Sequence, residues 1–184
     1  MRRVRPADAA AIAGIYRPYV LESRATFEID PPSAQDIAAR IAKVEGRYPW
    51  LVATDGEGAV TGYAYAMAFR ERPAYRFAVE TSIYLAASAQ GRGTGAALYG
   101  LLLDILAAQG FVHAIGALTL PNPGSVALHR RMGFAETGVY EQVGYKLGQW
   151  ASVGLFQKSL NPLADPPAEP LALEMVPAWK AVSC

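Results

Sequence analysis

Glu80–Gly95 reads E-T-S-I-Y-L-A-A-S-A-Q-G-R-G-T-G, and the architecture of the chain can be inferred from this segment outward. A run of β-branched and aromatic residues ends in a small polar turn, the glycine-rich segment Gln90–Gly95 follows, and an apolar helical pattern begins at Ala96. The order of strand, glycine-rich turn and helix builds an anion site, because the first N–H groups of a helix have no partner within it. The stretch therefore predicts a site for a phosphorylated ligand.

Two widespread glycine-rich loops fit this segment poorly. A P-loop needs Lys followed by Ser or Thr after its last glycine, whereas two alanines follow here. A dinucleotide-binding fingerprint fits as Gly91-x-Gly93-x-x-Ala96. It also requires an acidic residue about twenty positions later, and there is no Asp or Glu between Ile105 and Ala135. A nicotinamide-dependent enzyme is therefore a weak alternative.

The segment Gln90–Gly95 also resembles the Q/R-x-x-G-x-G/A loop of the GNAT acetyltransferase superfamily, which it matches at every position. In that superfamily the loop amides receive the pyrophosphate of acetyl-CoA, and the preceding strand pairs with the pantetheine arm. The resemblance thus implies acetyl-CoA as co-substrate. The residues that it assigns to acetyl-CoA binding are Ile83, Tyr84, Leu85, Gln90, Gly91, Arg92, Gly93, Thr94, Gly95, Ala96, Asn122 and Ser125.

Length and composition fit a single domain. The 184 residues, 52% of them apolar, are enough for one sizeable core. A formal net charge of +1 without a polybasic run predicts neither a nucleic-acid nor a membrane partner, and Asp8 and Pro18 interrupt any signal-peptide pattern. The only cysteine, Cys184, argues against a disulfide framework and for the cytoplasm. Two histidines and one cysteine, far apart, predict no metal site.

Alternating strand and helix signals predict one mixed α/β (α+β) domain, a sheet of about seven strands flanked by about four helices. Helices are expected after Asp8, as an N-cap, and after a capping box of Ser33 and Asp36. Further helices are expected at Gly93–Gln109 and Ser125–Met132. The expected strands are a short one at Val4, then Trp50–Thr54, Val60–Ala68, Phe77–Leu85, Ala114–Leu120, Phe134–Tyr140 and Val153–Leu160.

Prolines change the character of the chain after Asn161. They prevent a long helix or a sheet ladder. We therefore divide the chain into an acetyltransferase domain, residues 1–160, and a Pro-rich tail, residues 161–184, expected to be an irregular extension with little role in chemistry. The alternative is that the tail packs on the domain or on a second subunit through Leu171, Leu173, Met175, Val176 and Trp179.

Four segments in order resemble the phosphinothricin and methionine sulfoximine N-acetyltransferases. These segments are Arg70–Tyr84, Gln90–Gly95, Pro121–Phe134 and Val143–Trp150. The resemblance implies direct transfer of an acetyl group to the amine of a small amino acid or analogue, and a homodimer. Where the family has G-R-W-x-D, this chain has Gly148-Gln149-Trp150-Ala151-Ser152, so the acceptor or the dimer contacts are expected to differ.

Two residues are candidates for proton transfer. Glu80 precedes the loop on the same strand and matches the family's V-E position, so we expect it to deprotonate the acceptor amine; a general base contributes about 10²–10⁴-fold. His129 stands where many GNAT enzymes have a tyrosine that protonates the leaving thiolate, and a structural histidine is the alternative. A main-chain N–H near Tyr84–Leu85 is expected to polarise the thioester carbonyl.

The acceptor side is predicted from arginines. An arginine fork binds a carboxylate through two bonds, which suits an amino-acid acceptor. A solvated loop is the alternative for Arg72 and Arg76, while Phe27, in a T-F-E element of the family, is expected to wall the pocket. The substrate-binding candidates are Phe27, Arg70, Arg72, Tyr75 and Arg76. Another small amine or antibiotic as acceptor, or a non-catalytic CoA-binding domain, remains an alternative function.

Overall fold

A computed structural model describes residues 1–182, so the expectation for Cys184 lies outside the described residues. The strands are β1 (Arg2–Arg3), β2 (Trp50–Thr54), β3 (Val60–Ala68), β4 (Ala78–Leu85), β5 (His113–Leu120), β6 (Ala135–Lys146) and β7 (Gln149–Ser159). The helices are α1 (Ala9–Glu22), α2 (Ala34–Val44), α3 (Thr94–Gln109), α4 (Pro123–Arg131) and α5 (Pro177–Ala181). The seven strands form one mixed sheet in the order β1-β2-β3-β4-β5-β7-β6, which confirms the expected fold class.

The sheet separates two cores. Side chains of a strand alternate between its faces, so one face of β2 and β3 meets α1 and α2, and the other meets α3. The first core includes Ile12, Ile37 and Trp50, and the second includes Leu98 and Tyr99. Within residues 1–182, no helix has both the length and the apolar character that a membrane span requires.

Strands β4 and β5 are parallel and separate soon after they begin to pair. Their ladder covers Ala78–Glu80 and His113–Ile115 only, although both strands continue for five more residues. At the branch point the Thr81 hydroxyl lies 3.1 Å from the carbonyl oxygen of Ile115. The two strands therefore diverge at the centre of the sheet and leave a gap between them.

Two details at the N-terminus were predicted differently. The first strand is Arg2–Arg3 instead of a strand at Val4. Asp8 precedes α1, but its side chain does not cap that helix. Its carboxylate binds Arg2 through two bonds of 2.7 Å and accepts from the N–H of Arg5. The bonds from Arg2 hold the pKa of Asp8 below its usual range.

The capping box that begins α2 is confirmed. The N–H of Asp36 donates to Ser33 Oγ (3.1 Å), and the N–H of Ser33 donates to Asp36 Oδ2 (2.8 Å). Glycine ends α3 as expected, since Gly110 adopts a φ of +93°. These signals act within one turn of the chain, so they are readable from the sequence.

The last two strands are longer than expected and form a hairpin arm, which we define as Tyr140–Trp150. Leu147 and Gly148 turn the chain with φ of +53° and +74°, and Lys146 pairs with Gln149. The register of β6 slips between Tyr140 and Gly144, and this irregularity interrupts the alternating pattern that marks a strand.

The tail packs back on the domain. Leu173 and Val176 are 2% and 0% exposed, and Leu173 belongs to the core on the α3 side of the sheet. The side-chain amide of Gln109 donates to the carbonyl of Leu171 (2.9 Å), and Arg3 donates to the carbonyl of Trp179 and lies 4.6 Å from its ring centroid. The tail therefore packs on the domain and is not a separate irregular extension.

Candidate active site

The gap between β4 and β5 opens into a cleft of about 560 Å³. Its walls are the free edges of the two strands, the glycine-rich turn before α3, and one face of α4. None of the lining residues within 1–182 has a carboxylate side chain. The predicted cofactor residues in its lining are Ile83, Tyr84, Leu85, Gln90, Gly91, Gly93, Gly95, Ala96, Asn122 and Ser125, whereas Arg92 and Thr94 are outside the lining.

The glycine-rich turn requires its glycines for two reasons. Gly91 and Gly93 have φ of +71° and +82°, a region that side chains disfavour. A Cβ on Gly95 would lie 3.2 Å from Leu85 Cδ1, so its absence lets α3 approach β4 closely. Since Gly93 directly precedes α3, the unpartnered N–H groups of the first helical turn stand at the end of the cleft.

The main chain of β4 presents alternate residues to the cleft. The N–H of Ala86 donates to Thr61 (2.8 Å), which places Tyr84 among the residues bonded to β3 and turns Ile83 and Leu85 toward β5. Because the β4–β5 ladder has ended, the main chain of Ile83 has no strand partner there. The main-chain N–H of Tyr84 therefore points to β3, and the N–H groups that face the cleft are those of Ile83 and Leu85.

Tyr19 of α1 reaches across the cleft to β4. Its hydroxyl donates to the carbonyl of Leu85 (2.6 Å) and accepts from the N–H of Leu85 (3.4 Å) and from Gln90 Nε2 (3.1 Å). Both main-chain groups of Leu85 that face the cleft are therefore engaged, and those of Ile83 are left available for a ligand.

Asn122 and Ser125 begin the opposite wall of the cleft. The side chain of Asn122 caps α4 by accepting from the N–H of Ser125 (3.1 Å). Asn122 therefore both caps α4 and lines the cleft.

His129 belongs to a buried hydrogen-bonded chain. Its side chain is 3% exposed, and a Cβ on Gly116 would lie 2.8 Å from its ring, so the glycine provides its space. Nδ1 lies 2.9 Å from the carbonyl of Ser125, which only accepts, so Nδ1 carries the proton. Nε2 then accepts from Tyr99 (3.0 Å), whose hydroxyl lies 2.8 Å from Thr81 Oγ1. Burial lowers the pKa of His129, so the ring is neutral near pH 7.

Glu80 lies outside the cleft lining, next to the point where β4 and β5 diverge. By strand alternation it shares a face with Ser82 and Tyr84, the face that packs on α1. Burial raises the pKa of Glu80, and the positive charge of Arg70 opposes this shift. A carboxyl with a raised pKa beside a cleft is suited to accept and release a proton.

The structure brings some of the predicted acceptor residues together and separates others. Arg70 stacks on Phe69, 4.6 Å from the ring centroid, and Tyr75 meets the same ring edge-on at 5.6 Å. Arg76 instead pairs with Glu169 of the tail (2.7 Å). Arg72 is exposed and precedes the turn that contains Tyr75.

Phe27 connects the loop after α1 to the hairpin arm. Its ring lies where a Cβ on Gly144 would be, so only glycine accommodates it there. The loop is held by Lys146, whose ammonium donates to the carbonyl of Thr26 (2.7 Å). Next to Phe27, Glu28 binds Arg40 through bonds of 2.7 and 2.9 Å. These contacts place Phe27 between the loop and the arm, half-exposed.

The two residues that depart from the family pattern have partners within the chain. Gln149 accepts from Arg24 (2.7 Å), so an arginine does stand beside this position, although it comes from the loop after α1. Ser152 donates to Glu141 (2.7 Å) and accepts from the N–H of Gln142 (3.1 Å). Both substitutions thus alter contacts of the hairpin arm.

Tyr19 and Thr81 line the cleft, and the hydroxyl of Tyr99 lies 2.8 Å from Thr81 Oγ1, yet none of these residues belongs to a local sequence motif. Their contacts join elements far apart in the chain, so no spacing signal announces them. Within residues 1–182, no group of three His, Cys, Asp or Glu side chains is arranged to hold a metal ion.

Comparison with known proteins agrees with this geometry. The profile of the family described as Acetyltransferase (GNAT) domain matches residues 1–152. Phosphinothricin N-acetyltransferase of Streptomyces viridochromogenes is 37% identical, covering 93% of each chain. L-methionine sulfoximine/L-methionine sulfone acetyltransferase of Pseudomonas paraeruginosa is 35% identical, covering 88% of this chain and 94% of the relative.

A solved structure gives the same result at the level of the fold. The phosphinothricin acetyltransferase of Sinorhizobium meliloti, solved in complex with AcCoA, is 42% identical with a TM-score of 0.87, covering 92% of this chain and 91% of that one. The divergent strands, the glycine-rich turn and these relatives agree, and the chain belongs to the GNAT acetyltransferase family.

Proposed function

We propose that this protein transfers the acetyl group of acetyl-CoA directly to the amine of a small amino acid or amino-acid analogue of the phosphinothricin or methionine sulfoximine type. The observation that carries the proposal is the position of Glu80. It lies at the divergence of β4 and β5, and the cleft beside it has a glycine-rich anion turn at its far end. The relatives named above support the acceptor class.

The cleft fits acetyl-CoA by its shape and charge. Its lining, as far as the structure describes the chain, has no carboxylate, and the amides before and within the first turn of α3 suit a pyrophosphate. The free main-chain edge at Ile83 suits the amides of a pantetheine arm, as one more strand would pair there. When bound, acetyl-CoA would supply the thioester carbonyl that the acceptor amine attacks; the C–S bond would then break, and the CoA thiolate would leave and take its proton from solvent.

Three parts of the chain then serve the reaction. Glu80 accepts the proton of the acceptor ammonium, and its raised pKa brings that step closer to neutral pH. The N–H of Ile83 donates to the carbonyl oxygen as negative charge develops on it. Arg70, whose charge acts on Glu80, and Tyr75, which contacts the same Phe69 ring as Arg70, receive the acceptor carboxylate, with Phe27 as a wall. Arg76 pairs with Glu169 of the tail and Arg72 is exposed, so neither is assigned to the acceptor.

For His129 we propose a positioning role. Both ring nitrogens are engaged, by Ser125 and Tyr99, and the lowered pKa leaves no spare proton near pH 7. Direct protonation of the leaving thiolate by His129 requires the ring to leave Tyr99. The geometry favours a neutral ring that fixes α4 against the base of the cleft.

We further propose a homodimer formed through the hairpin arm. Its exposed apolar side chains form a patch of the kind that marks interfaces, and Trp150 is 61% exposed. Since the arm also holds Phe27, association would complete the acceptor side. Light scattering of the wild type and of Trp150→Ser tests this, and a monomeric wild type would contradict it. The net charge and single cysteine support a cytoplasmic protein without nucleic-acid partners.

The decisive experiment compares wild type with Glu80→Gln on a panel of amino acids and analogues, measuring CoA release and acetyl-CoA affinity. We expect turnover to fall about 10²–10⁴-fold while acetyl-CoA affinity is nearly retained. Unchanged turnover ends the assignment of Glu80. No turnover by wild type on any amine, with acetyl-CoA still bound, favours a non-catalytic CoA-binding domain.

A further inference from the structure

Among the described residues that line the cleft, Arg131 is the one charged side chain near pH 7, and the reaction described above does not use it. It is the last residue of α4. Within residues 1–182, no carboxylate forms an ion pair with it. Such a cleft suits a ligand with two negatively charged groups, one bound by the glycine-rich turn and a second one bound by the arginine.

The neighbouring arginine behaves differently. Arg130 pairs with Glu136 (3.5 Å) and does not line the cleft. Arg92, in the glycine-rich turn, is exposed and also outside the lining. Of these three arginines, Arg131 is therefore the one that a ligand in the cleft can contact.

The face of α4 that leads to Arg131 lines the cleft. Gly124, Ala127 and Leu128 line the cleft, and Arg131 follows them at the helical spacing of three and four residues. From Gly124 to Arg131 the helix rises about 10 Å. Across the cleft stand Gly95 and two other small residues of the turn. A Cβ on Gly95 would lie 3.7 Å from Leu128 Cδ2, so the start of α3 faces α4 one helical turn before Arg131, and both border the same cleft.

We propose that Arg131 binds the 3′-phosphate of coenzyme A, so that this cleft distinguishes coenzyme A from its 3′-dephospho form. The inference rests on the proposed use of acetyl-CoA. Coenzyme A has a pyrophosphate and a separate phosphomonoester, the latter with a charge of about −1.5 to −2 at neutral pH. The turn provides amides for the first group, and the guanidinium provides paired donors for the second.

The test measures the Kd values of acetyl-CoA and acetyl-3′-dephospho-CoA by calorimetry for the wild type, Arg131→Ala and Arg131→Lys. A charge-assisted contact predicts that the wild type binds acetyl-CoA about tenfold more tightly or better. We expect this ratio to fall close to one in Arg131→Ala and to be partly restored in Arg131→Lys. Arg130→Ala, the matched control, keeps the wild-type ratio.

The outcomes separate this inference from the proposed function. Equal binding of the two ligands by the wild type overturns the inference and leaves acetyl-CoA as co-substrate. A preference that persists in Arg131→Ala overturns it as well. If the wild type binds neither ligand, the use of acetyl-CoA itself fails. The comparison within the wild type needs no variant, so a folding defect in one variant cannot obscure the result.

Discussion

Removal of one buried hydroxyl by Tyr99→Phe tests the hydrogen-bonded chain at the base of the cleft. The phenyl ring keeps the stacking on Phe134, whose centroid lies 5.6 Å away, so the packing term stays nearly constant. Thr81 loses a partner but retains the carbonyl of Ile115 at 3.1 Å. His129 Nε2 loses the partner that its neutral ring accepts from, in a side chain that is 3% exposed.

The expected loss of stability depends mainly on His129, because Thr81 keeps a hydrogen-bond partner and His129 Nε2 does not. A buried polar atom left without a partner costs about 1–3 kcal/mol, and the loss at Thr81 adds little because its other partner remains. We therefore expect Tyr99→Phe to lower the free energy of unfolding by about 2 kcal/mol. For a chain of this length that corresponds to a fall in Tm of roughly 4–8 °C.

Urea denaturation and thermal melts measure this change. Tyr145→Phe is the control, since Tyr145 is 59% exposed and its loss of a hydroxyl should cost under about 0.5 kcal/mol. A double-mutant cycle with Thr81→Val should show coupling, because the two hydroxyls are 2.8 Å apart. If Tyr99→Phe is as mild as Tyr145→Phe, the chain contributes no stability and the positioning role of His129 loses its basis.

Three further changes have distinct expected results. The pKa of Glu80 is raised on folding, so the ionised carboxylate disfavours the folded state and stability falls as the pH rises through that pKa. Glu80→Gln should therefore melt above the wild type at pH 8 and near it at pH 4; a lower Tm at pH 8 contradicts the burial argument. Leu173→Ala should cost about 2–5 kcal/mol in urea denaturation, and Leu171→Ala, at a position 48% exposed, should cost far less; equal costs would mean that the tail is not part of the core. Gly144→Ala should displace the Phe27 ring and raise the KM of the acceptor several-fold, and an unchanged KM in steady-state kinetics would remove Phe27 from the acceptor wall.

Features determined by neighbouring residues were predicted from the sequence. The glycine-rich turn, the capping box at Ser33 and the glycine that ends α3 each act within one helical turn, and their chemistry is independent of the rest of the fold. Periodicity predicted the main helices and six of the seven strands, whereas the first strand was expected at Val4 and is Arg2–Arg3. The sequence pattern alone predicted only that a phosphorylated ligand binds. The resemblance to the family then implied that this ligand is acetyl-CoA.

Features determined by distant residues were not predictable in this way. Asp8 has the residue type and position of an N-cap, but Arg2 competes for its carboxylate once β1 joins the sheet. Arg76 has the spacing of an acceptor ligand, but the tail brings Glu169 to it. The partners of Tyr99 lie on β4 and α4, and only the assembled sheet brings them together.

The contact between Arg3 and Trp179 has a consequence for synthesis of the chain. The two residues are 176 positions apart, and the tail between them supplies side chains to the α3 core. At a translation rate of about 5–20 residues per second, roughly 9–35 s pass between the emergence of the first strand and that of its clasp. From the completion of α3 at Gln109 until Leu173 emerges, part of the apolar surface of α3 stays uncovered. A nascent chain of this protein is therefore expected to expose that surface until residues 173–179 have been synthesised.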